Sequence, residues 1–169
     1  MKEIEKMLAE NFKIVPIYQD GDMSSTITGD SVNMKDYHHA TFIFTFGTLG
    51  TASSVLTINS GTSAGAASSA LTFTYAFGGA AIGTAVAGST ASCDVLAAWA
   101  TSAALTITHD AYDNYMLVCE VPASAMDIAN GEEWLTPVLT DPGTATGTVD
   151  CIAILLPRYK GNRMGTCLA

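Results

Sequence analysis

The sequence predicts an all-β protein: a single antiparallel β-sandwich or jelly-roll-like domain with a short N-terminal helix or arm. Three observations predict it. Apolar and polar residues alternate with a period of two in several runs, most cleanly at residues 70–77, where Leu71, Phe73, Tyr75 and Phe77 face one side and Thr72, Thr74 and Ala76 the other. Clusters of Gly, Pro, Asn and Asp punctuate these runs at short intervals, which gives about eight to ten strands. After the first dozen residues no helical period is long enough for a crossover helix, and this excludes a parallel α/β sheet. At 169 residues the chain fits one domain with a core that needs no staples. The expected organisation is an amphipathic arm or helix at 1–13, a sandwich domain at 14–159 and a tail at 160–169.

Each element has its own justification. Ile4, Met7, Leu8 and Phe12 recur at helical spacing among Lys and Glu, so the first dozen residues read as an amphipathic helix that must dock on something, because an isolated helix so short is marginal in water. Asp20-Gly21-Asp22 reads as a turn between extended pieces at 14–18 and 23–28, and Gly29-Asp30 as another turn. Residues 37–47 form the most strand-like run, with Phe42, Phe44 and Phe46 on one face. Strands follow at 54–59 and 70–77, separated by a small-residue loop at 60–69. Residues 78–91 are low in complexity. Residues 94–99 suit a short strand or helical turn, and 104–108 a strand with Leu105 and Ile107 inward. His109 to Asn114 make a turn into the strand at 115–121. Ser124 with Asp127 three residues on, then Asn130-Gly131, predict one capped helical turn. Pro137 confines the strand at 134–140 to an edge or a bulge. Residues 149–156 are the most apolar strand, expected to be central.

Composition narrows the function classes. Charged residues are 14% of the chain, well below the usual quarter, which suggests surface that faces other protein. The net charge of −9 argues against direct nucleic-acid contact, which needs a clustered basic surface. No run has the apolar strength of a membrane span, and the charged N-terminus does not resemble a signal peptide. Cys93, Cys119, Cys151 and Cys167 are widely spaced without a C-x-x-C pair, and read as free, mostly buried thiols of a reducing compartment.

Candidate chemistry is sparse. His38 and His39 are adjacent on a strand and point to opposite faces, so they do not share a metal or substrate. His109, Asp110 and Asp113 offer a cation or acid–base site, but are ordinary turn residues as well. Asp20 and Asp22 lack the further oxygen ligands of a calcium loop. The glycines of residues 78–91 lack the Lys-Ser/Thr of a phosphate loop. Glu132 and Glu133 read as solvated loop charge. There is no G-x-S-x-G elbow and no Cys–His pattern. No catalytic, cofactor or metal residue is therefore assigned. Three of the seven Lys and Arg residues fall between 158 and 163, a basic tail able to steer onto an acidic partner.

Four motifs, taken together, carry a family resemblance: V-x-M-K-x-Y-x-H at Val32 to His39 before the aromatic strand, Y-M-L-V-x-E-V-x-A-S-x-M-D at Tyr115 to Asp127, D-P-G at Asp141 to Gly143, and L-L-x-R-Y at Leu155 to Tyr159. Over roughly residues 32–159 the chain resembles small structural proteins of tailed bacteriophages, in particular capsid decoration, or cement, proteins. The resemblance implies a non-enzymatic virion component with a β-sandwich or β-tulip core, gathered as a homotrimer. It would be assembled in the host cytoplasm, bind the outside of an icosahedral head and lock the major capsid protein lattice. The implied partners are the major capsid protein and further copies of the chain, with no cofactor, direct nucleic acid or membrane. Amphipathic spacing and local charge nominate Ile4, Met7, Leu8, Phe12, Arg158 and Arg163 as capsid or subunit contacts. Alternatives are another virion part, such as a head fibre, neck or tail protein, and a carbohydrate-binding or host-attachment module using Tyr112, Tyr115 or Trp134 as a platform. A hydrolase ranks third.

Overall fold

The aromatic run folds as a strand, Tyr37–Phe46, in the interior of a six-stranded sheet. The computed structural model describes residues 8–84, 89, 91–141, 146–159 and 165–168. In chain order the elements are α1 (Leu8–Asn11), β1 (Lys13–Asp22), β2 (Ile27–Thr28), β3 (Val32–Asn33), β4 (Tyr37–Phe46), β5 (Ser54–Gly61), β6 (Ser69–Ala70), β7 (Phe73–Phe77), β8 (Ala100–Ser102), β9 (Leu105–Ile107), β10 (Met116–Pro122), β11 (Trp134–Thr140) and β12 (Thr148–Pro157). Two antiparallel sheets result. The first runs β1-β12-β4-β10-β7-β8, and the second β2-β11-β5-β6, with β3 also on β11 and β9 also on β5.

The period-two pattern becomes a sandwich because each sheet has one face too apolar to leave in water. Phe42, Phe44, Leu117, Cys119, Cys151 and Ala153 of the first sheet join Leu56, Ile58, Leu105, Ile107, Leu135 and Leu139 of the second in one buried core. The rings of Phe42, Phe44 and Phe46 follow one another at 6.4 Å, and Tyr18 leans on Phe44 at 6.3 Å. Each buried aromatic or aliphatic side chain is worth about 1.5–3 kcal/mol, so this layer dominates the stability. The strand expected to be central, β12, lies second from the edge, between β1 and β4, and the centre of the sheet is held by β4 and β10.

Several local expectations need correction. Asp20-Gly21-Asp22 is not a turn: β1 continues through it beside β12, taking up extra residues at two register shifts. Asp20 adopts φ 50° there, and its N–H donates to the Asp150 carboxylate at 2.6 Å. The chain reverses after it, where the Asp22 carboxylate accepts from the Ser24 N–H. Of the extended piece expected at 23–28 only β2 forms. Pro137 does not mark an edge, since β11 runs between β5 and the stubs β2 and β3. A residue's N–H and C=O leave a strand on the same side, and the Pro137 carbonyl accepts from Gly29 N–H. The missing donor therefore faces the gap between β2 and β3, where no ladder bond is lost. The helical turn after β10 is a pair of 3-10 turns, Ala123–Ala125 and Ile128–Asn130. Its cap is Asp127, which accepts from Asn130 N–H, rather than Ser124. Gly131 ends it at φ 77°, a conformation that favours glycine. Residues 94–99 form turns with one bridge, Leu96 to Gly78, and the strand comes afterwards as β8.

Candidate functional site

Residues opposed across a ladder share a face, so the register of β4 defines the outer surface of the first sheet. With Phe42 and Phe44 inward, Ile43 points out, flanked by Ile152 on β12 and Val118 on β10. Pro16 on β1 extends the row beyond Ile152, and Ala76 on β7 extends it beyond Val118. Five strands thus contribute one apolar row. The next row begins Ile14, Ile154 before turning polar at Thr41, Glu120 and Thr74, and Leu156 starts a third beside His39. Ile14, Ile152 and Leu156 are 43%, 41% and 42% exposed. Completing the burial of each would be worth about 1 kcal/mol, and the β1–β12–β4 half of this face is an exposed aliphatic surface.

Beside the aliphatic rows, Glu120 organises the polar half. Its Oε2 accepts from the Thr41 hydroxyl at 2.8 Å and meets His39 Nε2. His38 is exposed on the other side, as the strand period requires. The arrangement orients His39 and the Thr41 hydroxyl on the sheet surface.

The other nominated residues are dispersed. His109 Nδ1 pairs with Asp110 at 2.8 Å, while the Asp113 carboxylate accepts from Leu49 N–H at 2.8 Å and so holds a loop. Among the described residues no group of three His, Cys, Asp or Glu is placed to hold a metal ion. Tyr112 stacks on Phe77 at 3.7 Å, with Tyr115 edge-on to it at 5.8 Å, and both are half-buried against the core. Gly78, at the start of the low-complexity stretch, is tied by its N–H to Met116 O and lies so close to Cys93 O that a Cβ would stand at 2.8 Å. Residues 85–88 and 90 of that stretch lie outside the described residues.

Of the six contact candidates, Ile4, Met7 and Arg163 lie outside the described residues. Leu8 opens the single turn α1 and is exposed; Phe12 is half-buried and donates its N–H to Leu8 O at 2.9 Å. Arg158 is half-buried and committed to its own domain, its N–H donating to Asp36 O at 2.8 Å and Nε–H to Tyr37 O at 3.0 Å. The tail also returns to the domain, for Cys167 is buried and its carbonyl accepts from Asn33 N–H at 2.9 Å.

The thiols are free, with Cys93 the most accessible. Cys119 and Cys151 sit two strands apart across β4, about 10 Å by ladder spacing, which is beyond disulfide reach. Burial pushes both thiols well above the ordinary range, so neither is a nucleophile. Tyr18 carries a buried hydroxyl with no partner among the described residues, and burial raises its pKa in the same way.

Two groups escaped the sequence reading. Glu132 is not solvated but buried, its carboxylate accepting from the Ser60 and Ser69 hydroxyls. The exposed aliphatic face was missed although residues 149–156 carried its signal: a strand apolar at outward and inward positions alike asks for cover on both faces. The chain matches no protein-family model, no curated protein and no solved structure.

Proposed function

We propose that this chain is a non-enzymatic structural component of a tailed-phage virion that sits outside the head and stabilises the major capsid protein lattice, working as a homotrimer. The observation that carries the reading is the exposed aliphatic surface around Ile14, Ile152 and Leu156, on a chain in which only 14% of residues are charged. Scattered apolar residues are normal, but an exposed aliphatic patch contiguous across the neighbouring strands β1 and β12 is the kind of feature that marks an interaction surface. The phage-like motifs indicate what it would meet. The mechanism is linkage: a protein that binds only the mature lattice lowers the free energy of that state, by about 1.4 kcal/mol for each tenfold excess over its dissociation constant.

The test is binding to undecorated heads. Ile152→Asp with Leu156→Asp places two charges in the middle of the proposed contact and should lower head occupancy by more than tenfold while the far-ultraviolet spectrum stays that of the wild type. Unchanged occupancy would remove this face from the reading. Deleting residues 1–12 tests the N-terminal contribution separately, with weaker occupancy expected on an intact sandwich.

A further inference from the structure

At one end of the sandwich, β3, the start of β4, the first residue of β11 and the end of β12 surround an open cleft of about 530 Å³. Trp134 stands opposite Asn33 in the β11–β3 pair, so both side chains lie on one face. Tyr159, 77% exposed, also lines the cleft. The frame is fixed: Arg158 ties the end of β12 to Asp36 and Tyr37, and Cys167 closes the far side through Asn33 N–H. The Tyr37 hydroxyl is engaged by the Cys167 thiol.

What remains unengaged is specific. Asn33 uses its Oδ1 to accept from Lys35 N–H at 2.9 Å, and its NH₂ group has no acceptor among the described residues. The Lys35 ammonium, Asp36 carboxylate, Trp134 indole N–H and Tyr159 hydroxyl have no side-chain partner among the described residues. Donors and acceptors therefore converge beside two aromatic rings, in a cleft of ordinary ligand-site volume. Among the described lining residues Lys35 and Asp36 bring one charge of each sign, so the described part of the cleft carries no net charge to select an anion. A ligand with an apolar C–H face for the rings and hydroxyls that both donate and accept fits this set.

We infer that this cleft binds a neutral hexopyranose, such as the terminal sugar of a glycan. The inference does not rest on capsid binding, which uses the outer face of the first sheet. Trp99 and Trp134 are the two tryptophans of the chain. In a Trp99→Phe background the emission of Trp134 reports the cleft alone. Titration with the methyl glycosides of glucose, galactose and N-acetylglucosamine should give a saturable shift with at least one of them, with a dissociation constant on the order of 1 mM. Calorimetry with that glycoside should show binding weakened about three- to tenfold by Tyr159→Ala, a change at an exposed residue, and likewise by Asp36→Asn. Ile152→Asp should leave it unchanged. Absence of a saturable shift with all three glycosides overturns the inference, and so does binding indifferent to both cleft substitutions.

Discussion

The outer faces of the two sheets have opposite fates. On the second sheet, Thr136 and Asn59 stand opposite one another and are buried beneath residues 62–68 of their own chain. A relay closes this face: Gly65 N–H donates to Ser31 Oγ at 2.8 Å, Ser31 lies 2.7 Å from Thr136 Oγ1, and Thr136 donates to Ala66 O at 3.4 Å. On the first sheet, Ile14, Ile152 and Leu156 have no such cover. Polar residues on an outer face let a loop satisfy its backbone groups there, whereas an aliphatic row offers a loop no hydrogen bonds and remains open for another surface. The second sheet's face is thus closed by the fold, whereas on the first sheet the β1–β12–β4 half stands open and only Val118 and Ala76, towards β7, are buried.

That contrast can be broken by substitution, beginning where the fold depends most on polar closure. Glu132→Ala should cost about 3 kcal/mol in urea unfolding, because the buried Ser60 hydroxyl loses a charged acceptor. Ser60 stands opposite Leu135 and so faces the core side, and a cost below 1 kcal/mol would mean that its hydroxyl does not depend on Glu132. Thr136→Val keeps the shape but leaves Ser31 without its acceptor, and should cost about 1–2 kcal/mol. Between the sheets, Tyr18→Phe removes the unpartnered buried hydroxyl and should raise stability by about 1 kcal/mol. A loss would show that the hydroxyl has a partner. The smallest effect belongs to the open face, where Ile152→Ser should shift stability by no more than about 0.5 kcal/mol. If it cost as much as Thr136→Val, the open face would be holding the fold rather than a partner.

Alkaline titration gives a fourth handle on the interior. Burial and the neighbouring Cys167 push the Tyr37 phenol up to about 12. A pKa raised on folding means that the folded state retains its proton where the unfolded chain, at about 10, has lost it. The contribution of Tyr37 is therefore complete below pH 10 and fades as the pH rises towards 12. Tyr37→Phe should flatten that part of the stability profile; an unchanged profile would place the phenol in contact with solvent.

How much of this was legible in the sequence varies with the range of the interaction. The strands at 37–47, 54–59 and 104–108 could be read directly, because alternation at Phe42-Ile43-Phe44 or Leu105-Thr106-Ile107 is a local consequence of burying one face. The Asp20-Gly21-Asp22 turn was misread because turn residues also make bulges, and the choice was settled by β12, more than a hundred residues away. The burial of Glu132 depended on Ser60 and Ser69, 72 and 63 residues away in sequence. Arg158 looked like a free basic residue because nothing near it in the chain reveals the carbonyls of Asp36 and Tyr37.

The sequence by itself determined the class of fold and the apolar layer between the sheets, since periodicity and turn chemistry act over a few residues. It also contained the two-sided apolarity of residues 149–156. Only the tertiary structure decided which of those residues meet the core and which stand in an open row, because that depends on the register of β12 against β4 and β1. It likewise decided that Trp134, Tyr159, Lys35 and Asp36 share one cleft. Pairing between distant strands sets such neighbourhoods, and no local pattern encodes them.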